Sequence, residues 1–227
     1  MMLTIFQIIA LVMSAVVHEV AHGYMAYRLG DDTAKDLGRL TLNPIKHLDP
    51  VGSVLVPLIL TMSGARFFIA WAKPVPFNPY NLTDKVNGAM KVALAGPASN
   101  LVILVIFGTF AKLLPITTAM KSSLLQAFFV QGNSETLALM AGSVSNSLYI
   151  MSLIICLINA VLMVFNLIPI PPLDGSKVLL RFLPEKGKQF FYQYEGYGMF
   201  VVLILVYLGA FDLILNPAIT TILSIFF

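Results

Sequence analysis

Charged residues are scarce in this chain of 227 residues. Asp, Glu, Lys and Arg together make up 11% of it, whereas hydrophobic residues make up 58%. A soluble domain usually carries about a quarter of its residues as charged side chains, so this composition cannot supply a surface that faces water. The sequence predicts a polytopic membrane protein that forms a single integral-membrane domain over residues 1–227.

Cysteine and net charge are also low, and each low value excludes a class of protein. The single cysteine, Cys156, cannot form an internal disulfide. The net charge of +3 does not call for a nucleic-acid partner and is better explained by orientation in a lipid bilayer. Because an ionisable group in hydrocarbon is costly, each one inside an apolar stretch is a candidate functional residue.

The apolar stretches predict an all-α fold with a three-helix core in residues 1–181 and a C-terminal membrane segment in about 190–227. Each predicted core span is long enough to cross about 30 Å of hydrocarbon. The three spans are Met1 to Tyr27, Val86 or Gly88 to Leu113, and Leu148 to Leu173. A short interfacial helix is expected between the second and third spans, within Lys121 to Val144.

The last apolar region, Tyr197 to Phe227, is predicted to be divided by Asp212 and by Asn216-Pro217. It forms either one crossing with a frayed tail or a crossing followed by a short re-entrant helix, so one or two C-terminal membrane helices are expected.

Two unusual segments separate the first two spans. Val51 to Met62 is short for a crossing and is bounded by proline and glycine, so a re-entrant or interfacial segment is expected. Arg66 to Pro79 combines β-type residues with prolines, which excludes a regular helix and predicts an extended segment.

The basic residues predict the orientation in the membrane. With a re-entrant Val51 to Met62, twelve of the 14 basic residues fall on one side of the membrane, and only Lys112 and Lys121 fall on the other. Cytoplasmic loops carry the Lys and Arg excess. We therefore expect the N-terminus outside a cell membrane and the loop after the first span in the cytoplasm.

Two of the three histidines lie in one pentapeptide, His18-Glu19-Val20-Ala21-His22, at the end of the first apolar stretch. Residues i and i+4 share a helical face, so both imidazoles can ligate one metal ion while the glutamate reaches water as a general base. The alternative is a polar helix end with two hydrogen-bonded histidines. Burial of His, Glu and His in an apolar stretch needs compensation, which favours one Zn²⁺ ion per chain.

A catalytic zinc needs a third protein ligand and one open position. Most other acids lie in polar stretches, which leaves Asp174 and Asp212 beside long apolar runs. Asp174 follows a proline-interrupted segment, and freed backbone groups at membrane depth are tolerated only where the chain is buried or lines a polar cavity. Asp174 is therefore the candidate, with a helix N-cap as the alternative.

The two other polar candidates receive simpler interpretations. Asp212 is interpreted as a carboxylate near a membrane edge. His47, the third histidine, is expected to be solvated or to stabilise its loop, because three ligands are already assigned.

Three motifs together resemble a known family. HEVAH on the first helix, Gly96-Pro97-Ala98-Ser99-Asn100 on the second and NLIPIPPLDG (166–175) on the third are similar to the site-2 protease family of intramembrane zinc metalloproteases. The resemblance extends to LTLNPIKHLDPVGS (40–53) and WAKPVPFNP (71–79), and it covers roughly Ala10 to Arg181. It points to the compact prokaryotic branch without PDZ or CBS domains.

The resemblance implies a role for each matching residue. The implied zinc ligands are His18, His22 and Asp174. Glu19 would be the base that activates the attacking water and returns a proton to the leaving amine. Asn166 would hydrogen-bond the substrate backbone or the developing oxyanion. Asn100 is a second candidate for such a role, with an interhelical hydrogen bond as its alternative.

The resulting expectation is an intramembrane zinc metalloendopeptidase that cuts single-span transmembrane proteins in or near the membrane, from the cytoplasmic side. The alternative is a zinc or other divalent-metal transporter, which should show several intramembrane acids and histidines along a path. A catalytically inactive scaffold would not need a complete ligand set together with Glu19.

Overall fold

The computed structural model of the chain describes residues 2–55, 59, 62 and 72–227. The described residues form ten α-helices and contain no strand, which confirms the all-α prediction. The helices are α1 (Met2–Arg28), α2 (Thr33–Asp36), α3 (Gly88–Leu113), α4 (Thr118–Gln126), α5 (Asn133–Ala141), α6 (Val144–Asn166), α7 (Asp174–Phe182), α8 (Glu185–Tyr194), α9 (Gly198–Tyr207) and α10 (Asp212–Leu223). Single helical turns lie at Pro44–His47, Pro50–Leu55, Pro79–Asn81, Ala127–Gln131 and Glu195–Tyr197.

Helices α1, α3 and α6 pack against one another and form the core. Leu3 near the start of α1, Ala111 near the end of α3 and Tyr149 near the start of α6 share one buried cluster. Helix α3 therefore runs in the opposite direction to α1 and α6, which run parallel to each other. All three are long and apolar enough to cross a membrane, and their other ends meet around the HEVAH motif.

The third predicted span is wrong at its C-terminal end, because α6 ends at Asn166 and not at Leu173. Three prolines follow within seven residues, and each lacks the N–H that would continue the helix. The chain turns back on itself so closely that a side chain at Gly175 would overlap the backbone of Leu167 and Ile168. This return brings Asp174, the first residue of α7, to the core.

The region predicted as one short interfacial helix, Lys121 to Val144, is two helices. Gly132, with φ of 96°, separates α4 and its following turn from α5. The side-chain oxygen of Thr117 accepts a hydrogen bond from Met120 N–H and caps the start of α4. The position of these helices at a membrane interface stays a prediction.

In the C-terminal region, Glu185–Tyr207 is a fourth segment long and apolar enough to cross a membrane, and α10 is a shorter apolar helix. The chain breaks between α9 and α10 at Gly209, with φ of 66°, three residues before Asp212. The predicted division at Asn216-Pro217 is wrong, because Pro217 lies inside α10.

The segments between α2 and α3 are described in part. The prediction that Val51 to Met62 is re-entrant lies outside the described residues, apart from the helical turn Pro50–Leu55. Of the predicted extended segment Arg66 to Pro79, residues 72–78 are described; they are irregular and pair with no strand in the described part of the chain.

Candidate metal centre

His18, His22 and Asp174 meet in a buried triangle between α1 and the start of α7. The two imidazole Nε2 atoms are 3.0 Å apart, and each lies 3.1 Å from Asp174 Oδ2. Ligand atoms about 2.0–2.1 Å from a tetrahedral zinc ion are separated by about 3.3 Å. The triangle thus needs to widen by only about 0.3 Å to hold zinc.

The hydrogen bonds behind the triangle agree with metal binding. His22 Nδ1 lies 2.7 Å from the backbone oxygen of Val92. A carbonyl oxygen only accepts, so the proton of neutral His22 is on Nδ1 and its Nε2 lone pair faces the triangle. Two nitrogen atoms and one carboxylate oxygen are a donor set that zinc accepts, with a fourth position left for water or substrate.

Gly96 allows α3 to approach the histidines. A Cβ atom at Gly96 would overlap the Nε2 atoms of both His18 and His22. The glycine of the Gly96-Pro97-Ala98-Ser99-Asn100 motif therefore has a steric function, since any larger residue would displace the imidazole rings.

Glu19 lies next to the triangle, beneath residues 73–78. Its Oε2 atom accepts a hydrogen bond of 2.8 Å from the backbone N–H of Val75. Val75 also contacts α1, because a side chain at Gly23 would clash with it. Residues 73–78 therefore cross directly over the HEVAH motif.

Two buried charged side chains hold residues 73–78 at either end. Arg39 Nη2 donates to the backbone oxygen of Lys73 at 2.8 Å. Asp31, fully buried, accepts from Asn78 N–H at 2.7 Å and from Asn81 Nδ2 at 2.9 Å. Burial raises the pKa of Asp31, but hydrogen bonds from Thr33, Asn78 and Asn81 outweigh this effect and leave the pKa below its ordinary value.

A cavity of about 130 Å³ adjoins the triangle and Glu19. Asn166, the last residue of α6, lines it, and Asn166 Nδ2 donates one hydrogen bond to the Leu162 oxygen at 3.0 Å. This bond uses one of the two amide hydrogens of Asn166. Lys177 also lines the cavity, and its Nζ atom lies 3.9 Å from Asp174 Oδ1.

Asn100 lies behind the triangle. Its side chain is fully buried, and its Oδ1 atom is 2.5 Å from His18 Nδ1. Asn100 Nδ2 also donates to Asn159 Oδ1 of α6 at 2.8 Å. This is the interhelical hydrogen bond that was the alternative to a role in substrate binding. A role for Asn100 in contact with substrate stays a prediction.

The remaining candidates lie apart from the metal triangle. His47 is buried, with Nε2 2.8 Å from the oxygen of Thr41, and its backbone oxygen accepts from Lys73 N–H at 2.8 Å. It therefore stabilises the loop before the 73–78 segment. Asp212 is exposed at the start of α10.

Sequence reasoning missed the residues that support the site from a distance. Asp31 is one of the acids in polar stretches, for which a solvated surface position is the expectation, and Asn159 lies outside the sequence motifs. Asn159 could have been identified from the sequence, because it is an amide inside a 23-residue apolar helix. A polar group in such a helix needs a hydrogen-bond partner. No comparable signal marked Asp31, which lies in a run of polar residues.

Comparisons with known proteins agree with this geometry. Residues 6–209 match peptidase family M50. A relative from Bacillus subtilis (strain 168), provisionally named zinc metalloprotease YwhC, is 37% identical over 225 residues, which cover 97% of this chain and 90% of the relative. A relative from Mycolicibacterium smegmatis, provisionally named zinc metalloprotease Rip2, is 28% identical over 194 residues, 86% of this chain and 63% of the relative. No solved structure matches the chain.

The family match confirms the resemblance to site-2 proteases and gives no support to the transporter alternative. The described residues likewise contain one group of metal-ligating side chains and no series of such groups along a path. The chain belongs to peptidase family M50, the site-2 protease family, and is a zinc metalloprotease of the membrane.

Proposed function

We propose that this protease cleaves single-span transmembrane proteins within or near the bilayer, from the cytoplasmic side. The observation that carries the proposal is the depth of the metal triangle along α1. His22 and His18 precede the end of α1 at Arg28 by six and ten residues, which is about 9 and 15 Å of helix. A metal site this far from the end of a helix that crosses the bilayer would be reached by a substrate that itself lies in the membrane, which supports cleavage within or near the bilayer.

His18, His22 and Asp174 would hold the zinc ion. Bound zinc would supply Lewis-acid chemistry, polarising the scissile carbonyl and making water acidic enough to lose a proton near neutral pH. Glu19 takes the proton of the attacking water and delivers it to the leaving amine. One carboxylate oxygen of Glu19 is held by Val75 N–H, which fixes the orientation of the side chain.

Asn166 is suited to bind the oxygen of the reacting carbonyl. It lines the cavity beside Asp174, and one of its two amide hydrogens is committed to the Leu162 oxygen. The other can donate to the substrate carbonyl, or to the negative charge that develops on it during attack. Preorganised donors of this kind contribute about 10²–10³-fold to rate.

The test combines zinc content, cleavage and the position of the cut. The purified chain is reconstituted in nanodiscs with a single-span substrate, and the products are sequenced by mass spectrometry. Glu19→Gln should retain about one zinc per chain and lose cleavage, whereas Asp174→Ala should lose zinc. Cuts confined to soluble parts of the substrate, or unaltered cleavage by Glu19→Gln, would refute the proposal.

We also infer that the N-terminus faces outside and the metal triangle lies nearer the cytoplasm. The basic residues support this orientation, because Lys112 and Lys121 lie together at the end of the core opposite the histidines. The only native cysteine, Cys156, is buried, so engineered cysteines report topology cleanly. Cysteines at exposed Met2 and exposed Lys186 should be labelled by impermeant maleimide from the outside and from the inside, respectively; the reverse pattern would refute the orientation.

A further inference from the structure

We propose that Asn159 is a positioning residue that sets the protonation tautomer of His18 through Asn100. Asn159 lies on α6, outside the three sequence motifs, and does not contact the metal triangle. The inference rests on the proposed role of His18 as a zinc ligand.

The connection is a chain of buried side-chain hydrogen bonds that crosses all three core helices. Asn159 Nδ2 donates to Ser14 Oγ of α1 at 2.9 Å and to the backbone oxygen of Ile155 at 2.8 Å. Asn159 Oδ1 accepts from Asn100 Nδ2 of α3 at 2.8 Å. Asn100 Oδ1 then lies 2.5 Å from His18 Nδ1. Both asparagines are fully buried.

The direction of every bond in this chain follows from the backbone oxygen of Ile155. A carbonyl oxygen only accepts, so the amide nitrogen of Asn159 must point toward it. The Oδ1 atom of Asn159 therefore points to Asn100 and requires a donor there. With the nitrogen of Asn100 committed to this bond, its Oδ1 atom faces His18 and accepts from Nδ1–H.

The consequence for His18 is a lone pair at Nε2, the atom of the metal triangle. Neutral imidazole carries one proton, and Asn100 holds that proton on Nδ1. His22 obtains the same tautomer directly from the Val92 carbonyl. His18 differs because its partner is an amide, which can donate as well as accept. Within the described part of the chain, the bond to Asn159 determines which end of that amide faces the imidazole.

Removal of the Asn159 side chain would release Asn100. The amide of Asn100 could then rotate and present its nitrogen to His18 Nδ1, which moves the imidazole proton to Nε2. That proton would bond Asp174 Oδ2, 3.1 Å away, and this metal-free pair would compete with zinc. Loss of such an outer-shell partner typically weakens metal binding about 10–100-fold.

The test measures zinc affinity by chelator competition on the full chain in detergent. Asn159→Ala should raise the Kd for zinc about 10–100-fold and alter the visible spectrum of the Co²⁺-substituted protein. Asn146→Ala is the matched control. Asn146 is buried on the same helix and donates to the oxygen of Leu139 at 2.9 Å, but it has no connection to His18; its Kd should stay within about twofold of the wild type.

The same substitution in an Asn100→Asp background separates a positioning role of Asn159 from a general structural role. In Asn100→Asp the carboxylate can only accept, so it keeps the proton on His18 Nδ1 whatever residue stands at position 159. Because Asn100→Asp also removes the donor that Asn159 Oδ1 requires, adding Asn159→Ala to this background should not raise the Kd by more than about threefold. A structural defect would weaken zinc binding equally in both backgrounds, and that result would overturn the proposal.

Two further outcomes keep the proposals distinguishable. If Asn159→Ala fails to fold, Asn159→Leu, which has a similar volume, enters the same comparison. A wild-type Kd in either Asn159 variant refutes the positioning role alone. A wild-type chain that binds no zinc refutes the proposed function instead.

Discussion

Asp31 offers a direct test of how the segment above Glu19 is held. Its buried carboxylate accepts hydrogen bonds from Thr33 N–H at 3.3 Å, Thr33 Oγ at 2.6 Å, Asn78 N–H at 2.7 Å and Asn81 Nδ2 at 2.9 Å. Asn78 is three residues from Val75, whose N–H binds Glu19. Replacement by alanine, Asp31→Ala, removes all four bonds and leaves the donors without this acceptor.

The magnitude follows from the two bonds that reach across to Asn78 and Asn81. A hydrogen bond to a charged group contributes about 1.5–3 kcal/mol, so the pair stabilises the closed segment by about 3 kcal/mol or more. Since 1.4 kcal/mol is about a factor of ten, local opening of residues 73–78 should become about 100-fold more frequent. We expect a corresponding loss of hydrogen-exchange protection at the Val75 and Asn78 amides.

The assay is hydrogen exchange followed by mass spectrometry of peptides that cover residues 72–82, with Asp32→Ala as the control. Asp32 is adjacent in sequence but exposed, and it pairs with Lys35 at 3.3 Å. Such surface pairs contribute about 0–1 kcal/mol, so Asp32→Ala should leave exchange nearly unchanged. Equal exchange in Asp31→Ala and the wild type would refute the reasoning.

The pH dependence of the same segment has a definite sign. The pKa of Asp31 in the folded chain lies below its ordinary value of 3.8. Its stabilising contribution is therefore complete above about pH 5 and is lost as the pH falls below 3.8 and through the lower folded pKa. Exchange protection of Asn78, corrected for the intrinsic rate, should fall over this range in the wild type and not in Asp31→Ala; protection that stays constant down to pH 2 would contradict this account.

Three further predictions concern the surroundings of the site. Gly96→Ala should reduce the zinc content, because the added Cβ atom would overlap both histidine rings. Gly196→Ala is the control and should not reduce it, because Gly196 has open space around it. Equal zinc content in the two variants, measured by atomic absorption, would contradict the steric argument. Arg39→Lys should lower kcat/KM about tenfold or more, since lysine can replace only one of the two guanidinium contacts to Lys73 and Pro74, and one such contact is worth about 1.5–3 kcal/mol; an unchanged kcat/KM would exclude a role for the contact. The hydrogen bond from Lys91 and that from the Asn87 N–H lower the pKa of partly buried Asp84 to about 2. Asp84→Asn should therefore shift the Tm by no more than a degree or two at pH 7, and it should abolish the small loss of stability that we expect of the wild type as the pH falls from 4 to 2.

Much of the fold could be predicted because the length of an apolar stretch is a local property of the sequence. The first two core spans agree with α1 and α3 to within a few residues. The errors lie at Leu173 and at Asn216-Pro217, where sequence alone does not show whether a proline ends a helix or is accommodated inside it. Pro169 and Pro171 follow the end of α6, whereas Pro217 is contained in α10.

By itself, the sequence determined that this chain is a membrane protein and that His18, Glu19, His22 and Asp174 are its candidate catalytic group. Both conclusions follow from the cost of placing polar groups in hydrocarbon, which makes each such residue informative without coordinates. Only the tertiary structure decided which residues support that group: Gly96, Val75, Asp31 and Asn159 come from four different parts of the chain. Their roles depend on distances between helices and on which carbonyl oxygen faces which amide, and no local pattern encodes those contacts.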